Sequence, residues 1–262
     1  MNKLLTISLL LLILPASLLA QGEIDEQQRI FYRNERTVGL LFNSNGYGIS
    51  YREGKRLNLL NKRLIDIDLN LIKHPKEIKL VNPYVISGSS FVYGKLNHTV
   101  TIRGMIGHQQ ELFRKIDLGG VAVRYFYSGG PTLAVTKPIY YNILYPGAGG
   151  SWEIRAEKFV EGTQPTDIYN KASFFKGFRE LGFIPGVAAK GGFNFEYSKE
   201  DKVIHTVEIG VSLEAYLKRL PVMASDDNQA LFLTPFISYR LGVVIDPLHP
   251  ESVKIPTLFF RK

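Results

Sequence analysis

Asp66 and Asp68 stand two positions apart, so on a strand their carboxylates share one face. A pair of carboxylates held together can divide acid and base roles between them. The same pair is equally an ordinary partner set for arginine and lysine inside a fold. The five histidines, His74, His98, His108, His205 and His249, show neither His-X-His nor His-Glu-X-X-His spacing, which leaves a zinc site without support. With zero cysteines, thiolate catalysis, Cys-ligated zinc and disulfides are excluded. A serine–histidine hydrolase built on strands would need no local motif, and none marks one here. Asp226-Asp227-Asn228 lacks the fuller pattern and the bidentate Glu of a calcium loop and reads as a polar turn. Gly147-Ala148-Gly149-Gly150 lacks the Lys-Ser/Thr that completes a phosphate cradle. The sequence thus offers no catalytic, metal-binding or cofactor-binding set, and no cofactor is expected.

Two constellations remain. Arg52, Asp66, Asp68, Arg103, Arg124, Lys190, Glu196, Glu208, Glu214 and Arg240 each fall on the polar side of a stretch that alternates polar with apolar. Gathered in a narrow interior they must pair, because unpaired charge in a confined dry space is expensive. They would form a salt-bridge network that fills the interior, or else line a charged pore or a ligand-binding cavity. Cations and carboxylates nearly balance, so no strong ion selectivity follows. The second constellation is Tyr140, Tyr141, Tyr145, Trp152 and Phe159, within a long Gly- and aromatic-rich connection, 137–181. An exposed loop of this kind suits contact with a partner, and the same loop could instead fold inward as a plug.

Strands must position these residues. From Val203 to Leu217 every second residue is apolar or small, His205 being the exception, while Thr206, Glu208, Gly210, Ser212 and Glu214 occupy the other face. The stretch is long enough to cross a bilayer at a tilt, which takes about 9–11 residues. Similar alternation recurs near 37–43, 47–52, 64–72, 90–96, 99–106, 121–128, 132–136, 187–197 and 231–243. Asn45-Gly46 is a strong hairpin signal, and Gly129-Gly130-Pro131 reads as a turn between two of these strands. The expectation is an all-β, antiparallel, up-and-down transmembrane barrel of about ten strands, within a range of 8–12. Short connections alternate with long ones, as they do between the two ends of an outer-membrane barrel, with the tight first hairpin as an exception. Tyr47, Tyr51, Tyr125, Tyr127, Phe195 and Tyr197 lie on the apolar side toward strand ends, where an interfacial girdle belongs.

The flanks set the compartment. Lys3, the apolar run Leu4–Leu14 and Ser17-Leu18-Leu19-Ala20 read as an export signal cleaved after Ala20. Residues 21–35 are a polar lead-in, 36–245 the barrel, and 246–262 a tail. The formal net charge of +8 suits contact with anionic lipid headgroups and is equally explained by a solvated basic surface. The expected partners are outer-membrane lipid and other envelope proteins, and nucleic acid is excluded for an exported chain.

Four stretches carry a resemblance: Asn43-Ser-Asn-Gly-Tyr-Gly-Ile-Ser-Tyr-Arg-Glu-Gly-Lys55, Lys73-His-Pro-Lys-Glu77, Tyr93-Gly-Lys-Leu-Asn97 and Val123-Arg-Tyr-Phe-Tyr-Ser-Gly-Gly-Pro131. Together they resemble a family of small outer-membrane barrels from Bacteroidota, over roughly residues 30–245. The resemblance implies fold and location and brings no established activity. One departure is the ending Phe260-Arg261-Lys262, where bacterial barrels typically finish on an aromatic residue. The function expected is an interaction or accessory subunit of an envelope complex. The alternatives are a small porin-like channel and a barrel lipid hydrolase.

Overall fold

The computed structural model describes residues 34–85, 88–115, 120–197, 203–225 and 227–245. The export signal, most of the lead-in and the tail lie outside these. Eight strands close on themselves: β1 (Asn34–Asn43), β2 (Gly46–Arg56), β3 (Asn61–Ile72), β6 (Asn97–Phe113), β7 (Ala122–Pro138), β11 (Gly182–Glu196), β12 (Val203–Tyr216) and β13 (Leu231–Ile245). Each pairs antiparallel with its neighbour in the chain, and β13 returns to β1 with Asn34 opposite Ile245 and Asn43 opposite Phe236. The strands run from 10 to 17 residues, beyond the 5–6 usual in soluble sheets. No helix among the described residues is long and apolar enough to cross a membrane.

Alternation dictates the wall. On β3, Lys62, Leu64, Asp66, Asp68 and Asn70 are buried inside the barrel, while Ile65, Ile67 and Leu69 stand exposed on its outside. On β12, Glu208, Ser212 and Glu214 point in, and Ile209, Val211 and Leu213 point out. Glycine makes the narrow interior possible at two places. A Cβ on Gly39 would sit 2.9 Å from the Arg240 side chain, and one on Gly210 would sit 2.9 Å from the Phe236 ring.

The count of eight in place of about ten has two causes. Gly129-Gly130-Pro131 is no turn but the middle of β7, which runs straight through it. Arg103 pairs with Thr132 and Ile106 with Gly129, so the register with β6 is unchanged across the stretch. Gly130 is required there because a Cβ would come within 2.1 Å of the Gly104 carbonyl oxygen. The other surplus strand, near 90–96, shrinks to β5 (Phe91–Val92), which pairs only with β4 (Lys79–Leu80) outside the barrel.

The connections sort by end. At one end lie 57–60, 114–121 and 197–202, with both ends of the barrel sheet. At the other lie the Ser44-Asn45 hairpin and the connections 73–96, 139–181 and 217–230. The stretch read as irregular, 137–181, holds a small sheet of its own: β8 (Tyr140–Pro146) between β9 (Trp152–Lys158) and β10 (Ile168–Lys171). It encloses a core of Phe91, Ile139, Tyr141, Ile143 and Ile168, with Phe159 packed against it. Through Phe91 this sheet packs on the 73–96 connection at the same end.

Candidate functional site

The ten charged residues singled out in the sequence all project into the lumen, held there by the inward positions of seven strands. Eight form one central group. Arg52 on β2 sits opposite Asp66 on β3 and donates from Nε to its Oδ1 at 2.5 Å. The same guanidinium reaches across the barrel to Glu208 on β12. Lys190 on β11 bridges Asp68 at 2.9 Å and Asp66 at 3.4 Å. Arg103 on β6 holds Glu214 at 2.9 Å and lies 3.6 Å from Asp68. Arg240 on β13 completes the ring 3.6 Å from Glu208, donating also to Ser50 at 2.7 Å and Thr37 at 3.1 Å. Four cations thus meet four carboxylates. Asn194 donates to Glu208 at 2.9 Å, and Tyr216 donates to Glu214.

Arg124 and Glu196 belong to a second group nearer the short-turn end, where they pair at 2.5 Å. Glu196 also takes Lys115 at 3.0 Å, and Glu111 lies 3.6 Å from Arg124 and 3.9 Å from Arg56. Lys62 pairs with Glu35 in the same layer. Sequence reading missed Glu35, Arg56, Lys62 and Glu111. The signal for them was a continuation of the alternation: β3 begins at Asn61 and β6 runs to Phe113, beyond the stretches where the pattern is cleanest. Also missed was an apolar patch within the lumen, Leu41, Leu64, Phe126 and Phe236, with Arg52 stacked 4.7 Å over the Phe126 ring.

A lumen cavity bounded by Arg52, Arg124, Asn194 and Arg240 has a volume of about 10 Å³, on the order of a single water. At the long-loop end the 217–230 connection folds across the mouth. Its Leu220, Val222 and Met223 are buried against the inward Ile72, Ala134 and Tyr216. Backbone amides of Leu96 and Asn97 donate to the Val222 carbonyl at 3.0 and 3.3 Å, fixing this cover to the neighbouring loop. Asn228 organises the cover through bonds to the Val222 and Met223 amides and the Met223 and Ser225 carbonyls. Asp226 lies outside the described residues.

The aromatic set divides. Tyr141 is buried, its hydroxyl within hydrogen-bonding distance of the Val92 and Lys95 carbonyls, at 2.7 and 2.8 Å, with its one proton to donate between them. Phe159 packs edge-on to Tyr93 and Tyr141. Tyr140 bonds Glu180 at 2.6 Å and Tyr145 bonds Glu157 at 2.9 Å. Trp152 alone of the five is largely free of packing, at 69% exposed, beside Ile154 on β9. Sequence reading passed over Phe174, Phe175 and Phe178, which form an exposed aromatic cluster near the start of β11.

The histidines do not converge. His74 accepts from the Lys76 amide, His108 meets Asn61 at 3.0 Å, and His205 meets the Tyr239 hydroxyl at 3.1 Å on the outer wall. His98 lies 6.0 Å from the Phe174 ring, and His249 is outside the described residues. Among the described residues no group of three His, Asp or Glu is placed to hold a metal ion.

The fold defines a closed, eight-stranded, antiparallel up-and-down barrel with a polar, charge-paired interior. No family model matches the chain, and no curated protein does. The likeness to the Bacteroidota barrels therefore rests on the quoted stretches alone. Among solved structures the chain is similar to Neisserial surface protein A at 10% identity and a TM-score of 0.35, covering 81% of this chain and 96% of that one. It is similar to the N-terminal β-barrel domain of Pseudomonas aeruginosa OprF at 8% identity and 0.35, covering 82% and 98%. For Ail, the attachment invasion locus protein of Yersinia pestis, the values are 8% and 0.34, covering 82% and 97%. Likenesses this slight say nothing of function.

Proposed function

We propose that the chain is an integral outer-membrane barrel with a closed lumen, serving as a non-enzymatic interaction subunit of an envelope complex through its long-loop end. The observation that carries this is the combination of an apolar outer wall with a lumen filled by ion pairs. Val38, Leu40, Ile49, Ile67, Ile106, Val187, Ile209, Leu233 and Ile237, from seven of the eight strands, stand about half exposed or more. A soluble monomer rarely tolerates a contiguous apolar surface beyond a few hundred Å², and a ring of this kind belongs in lipid. Tyr125, Tyr197 and Tyr239 at the short-turn end, and Phe42, Tyr47 and Phe183 at the other, edge the wall as an interfacial girdle does. Periplasmic turns are the short ones in such barrels, which puts the β8–β10 sheet on the outside of the cell.

On that outer side, Trp152 and Ile154 on β9 form the surface offered to a partner. The test has two readings. Cell fractionation should find the protein in the outer membrane, with a folded form that migrates faster on gels than the boiled one. Recovery in the soluble periplasm without detergent would overturn the placement. Affinity purification in mild detergent should return a stoichiometric envelope partner, lost on Trp152→Ala, since an anchoring tryptophan typically contributes about 2 kcal/mol or more to an interface. A partner retained undiminished by Trp152→Ala would move the contact elsewhere.

A further inference from the structure

The rim of the long-loop end is uneven, and its low point has a definite chemistry. β1 and β2 turn tightly at Ser44-Asn45, while the strands flanking them carry the long connections 73–96 and 217–230. β1 stops at Asn43, opposite Phe236, and the Ser44 amide bonds the Pro235 carbonyl. Leu231–Thr234 of β13 therefore rise above β1 paired with β12 alone. The result is a notch in the barrel wall, with a cleft of about 790 Å³ behind it.

The two sides of this cleft differ by height. Leu231 and Leu233, 58% and 71% exposed, continue the apolar wall up to its lip. Above them the cleft is lined by Lys73, Lys76 and Arg219. Lys73 leans over the Tyr47 ring at 5.0 Å, so it sits at the girdle. Arg219 is exposed and makes no hydrogen bond or ion pair with any described residue. Lys76 crosses the cleft to Asp227, both more than half exposed. An apolar lip below three cations, open sideways onto the lipid-facing wall, matches an amphiphile with an anionic head.

We propose that this notch binds the phosphate-bearing head of a lipid from the leaflet at the long-loop end, with Lys73, Lys76 and Arg219 on the phosphates and Leu231 and Leu233 against the acyl chains. Lys76 exchanges Asp227 for the lipid phosphate on binding. The site shares no residue with the Trp152–Ile154 surface and rests on the outer-membrane placement proposed above.

The test uses the full-length mature protein, purified in detergent and checked for the folded gel form. Retention of diphosphorylated lipid A, of phosphatidylcholine and of inorganic phosphate is measured by native mass spectrometry. Lipid A should be retained in preference to phosphatidylcholine. Combined Lys73→Gln, Lys76→Gln and Arg219→Gln should weaken it roughly a hundredfold, since each cation near a charged lipid surface contributes about a fivefold factor. Lys158→Gln with Lys176→Gln, on the other side of the rim, should leave it unchanged. Asp227→Asn frees Lys76 and should tighten retention severalfold, a gain that general loosening of the loops would not produce. Equal retention by the triple variant and the wild type would overturn the proposal. So would inorganic phosphate binding as tightly as lipid A, or Asp227→Asn weakening retention. A protein that never reaches the folded, membrane-inserted form would instead count against the placement.

Discussion

Glu208 meets three partners in the lumen, accepting from Arg52 and Asn194 and lying 3.6 Å from Arg240. Its carboxylate is what allows two guanidiniums to share a buried space. Removing one partner of a buried ionic set leaves the others uncompensated, at a cost of about 3–5 kcal/mol. Glu208→Ala should therefore lower the urea midpoint of the folded protein in micelles by a corresponding amount. Arg36, half exposed and paired with the half-exposed Glu53, is the contrast: Arg36→Ala should change stability by less than about 1 kcal/mol. Equal effects at both positions would show that the lumen is wet enough to screen its charges. The inward charges were legible in the sequence because each sits in a run whose alternate members are apolar. Their partners were not legible, since Arg52 and Glu208 lie 156 residues apart and meet only when the wall closes.

At the scale of strands, side-chain alternation was a sufficient guide wherever the outer face is uniformly apolar, as on β3, β12 and β13. Turn chemistry misled at Gly129-Gly130-Pro131, where local preference for a bend yields to pairing on both sides with β6 and β11. The small sheet above the barrel escaped sequence reading for a related reason. Its core joins Phe91 to Ile168 across two separate connections, and no local period announces that. The outer wall supplies a test that depends on depth. Ile67→Arg, at the middle of β3, should destabilise the folded protein by about 2–4 kcal/mol in a bilayer, whereas Leu217→Arg, just past the end of β12, should cost about 0–1 kcal/mol. Unfolding titrations in lipid vesicles would read the difference. Equal costs would mean that the wall does not face hydrocarbon.

For the molecule as a whole, ion pairs lie across the lumen and Leu220, Val222 and Met223 cover its long-loop end, in line with the closed lumen proposed above. Planar bilayers holding the protein should conduct no more than bare lipid, and discrete openings would favour the channel reading instead. The seam between β1 and β13 has a further consequence, which concerns time. Thr37 bonds Arg240 across 203 residues of chain, and Asn34 finds Ile245 only when the last strand is in place. Until then the growing sheet has two open edges, and Arg52, Asp68 and Arg103 wait for Glu208, Lys190 and Glu214 on strands still to arrive. Such distant pairings fold slowly. During that interval the polar face stays hydrated, and the half-made wall must be kept from pairing with another chain. The order of synthesis thus makes the last strand the one that turns an aggregation-prone ribbon into a finished vessel.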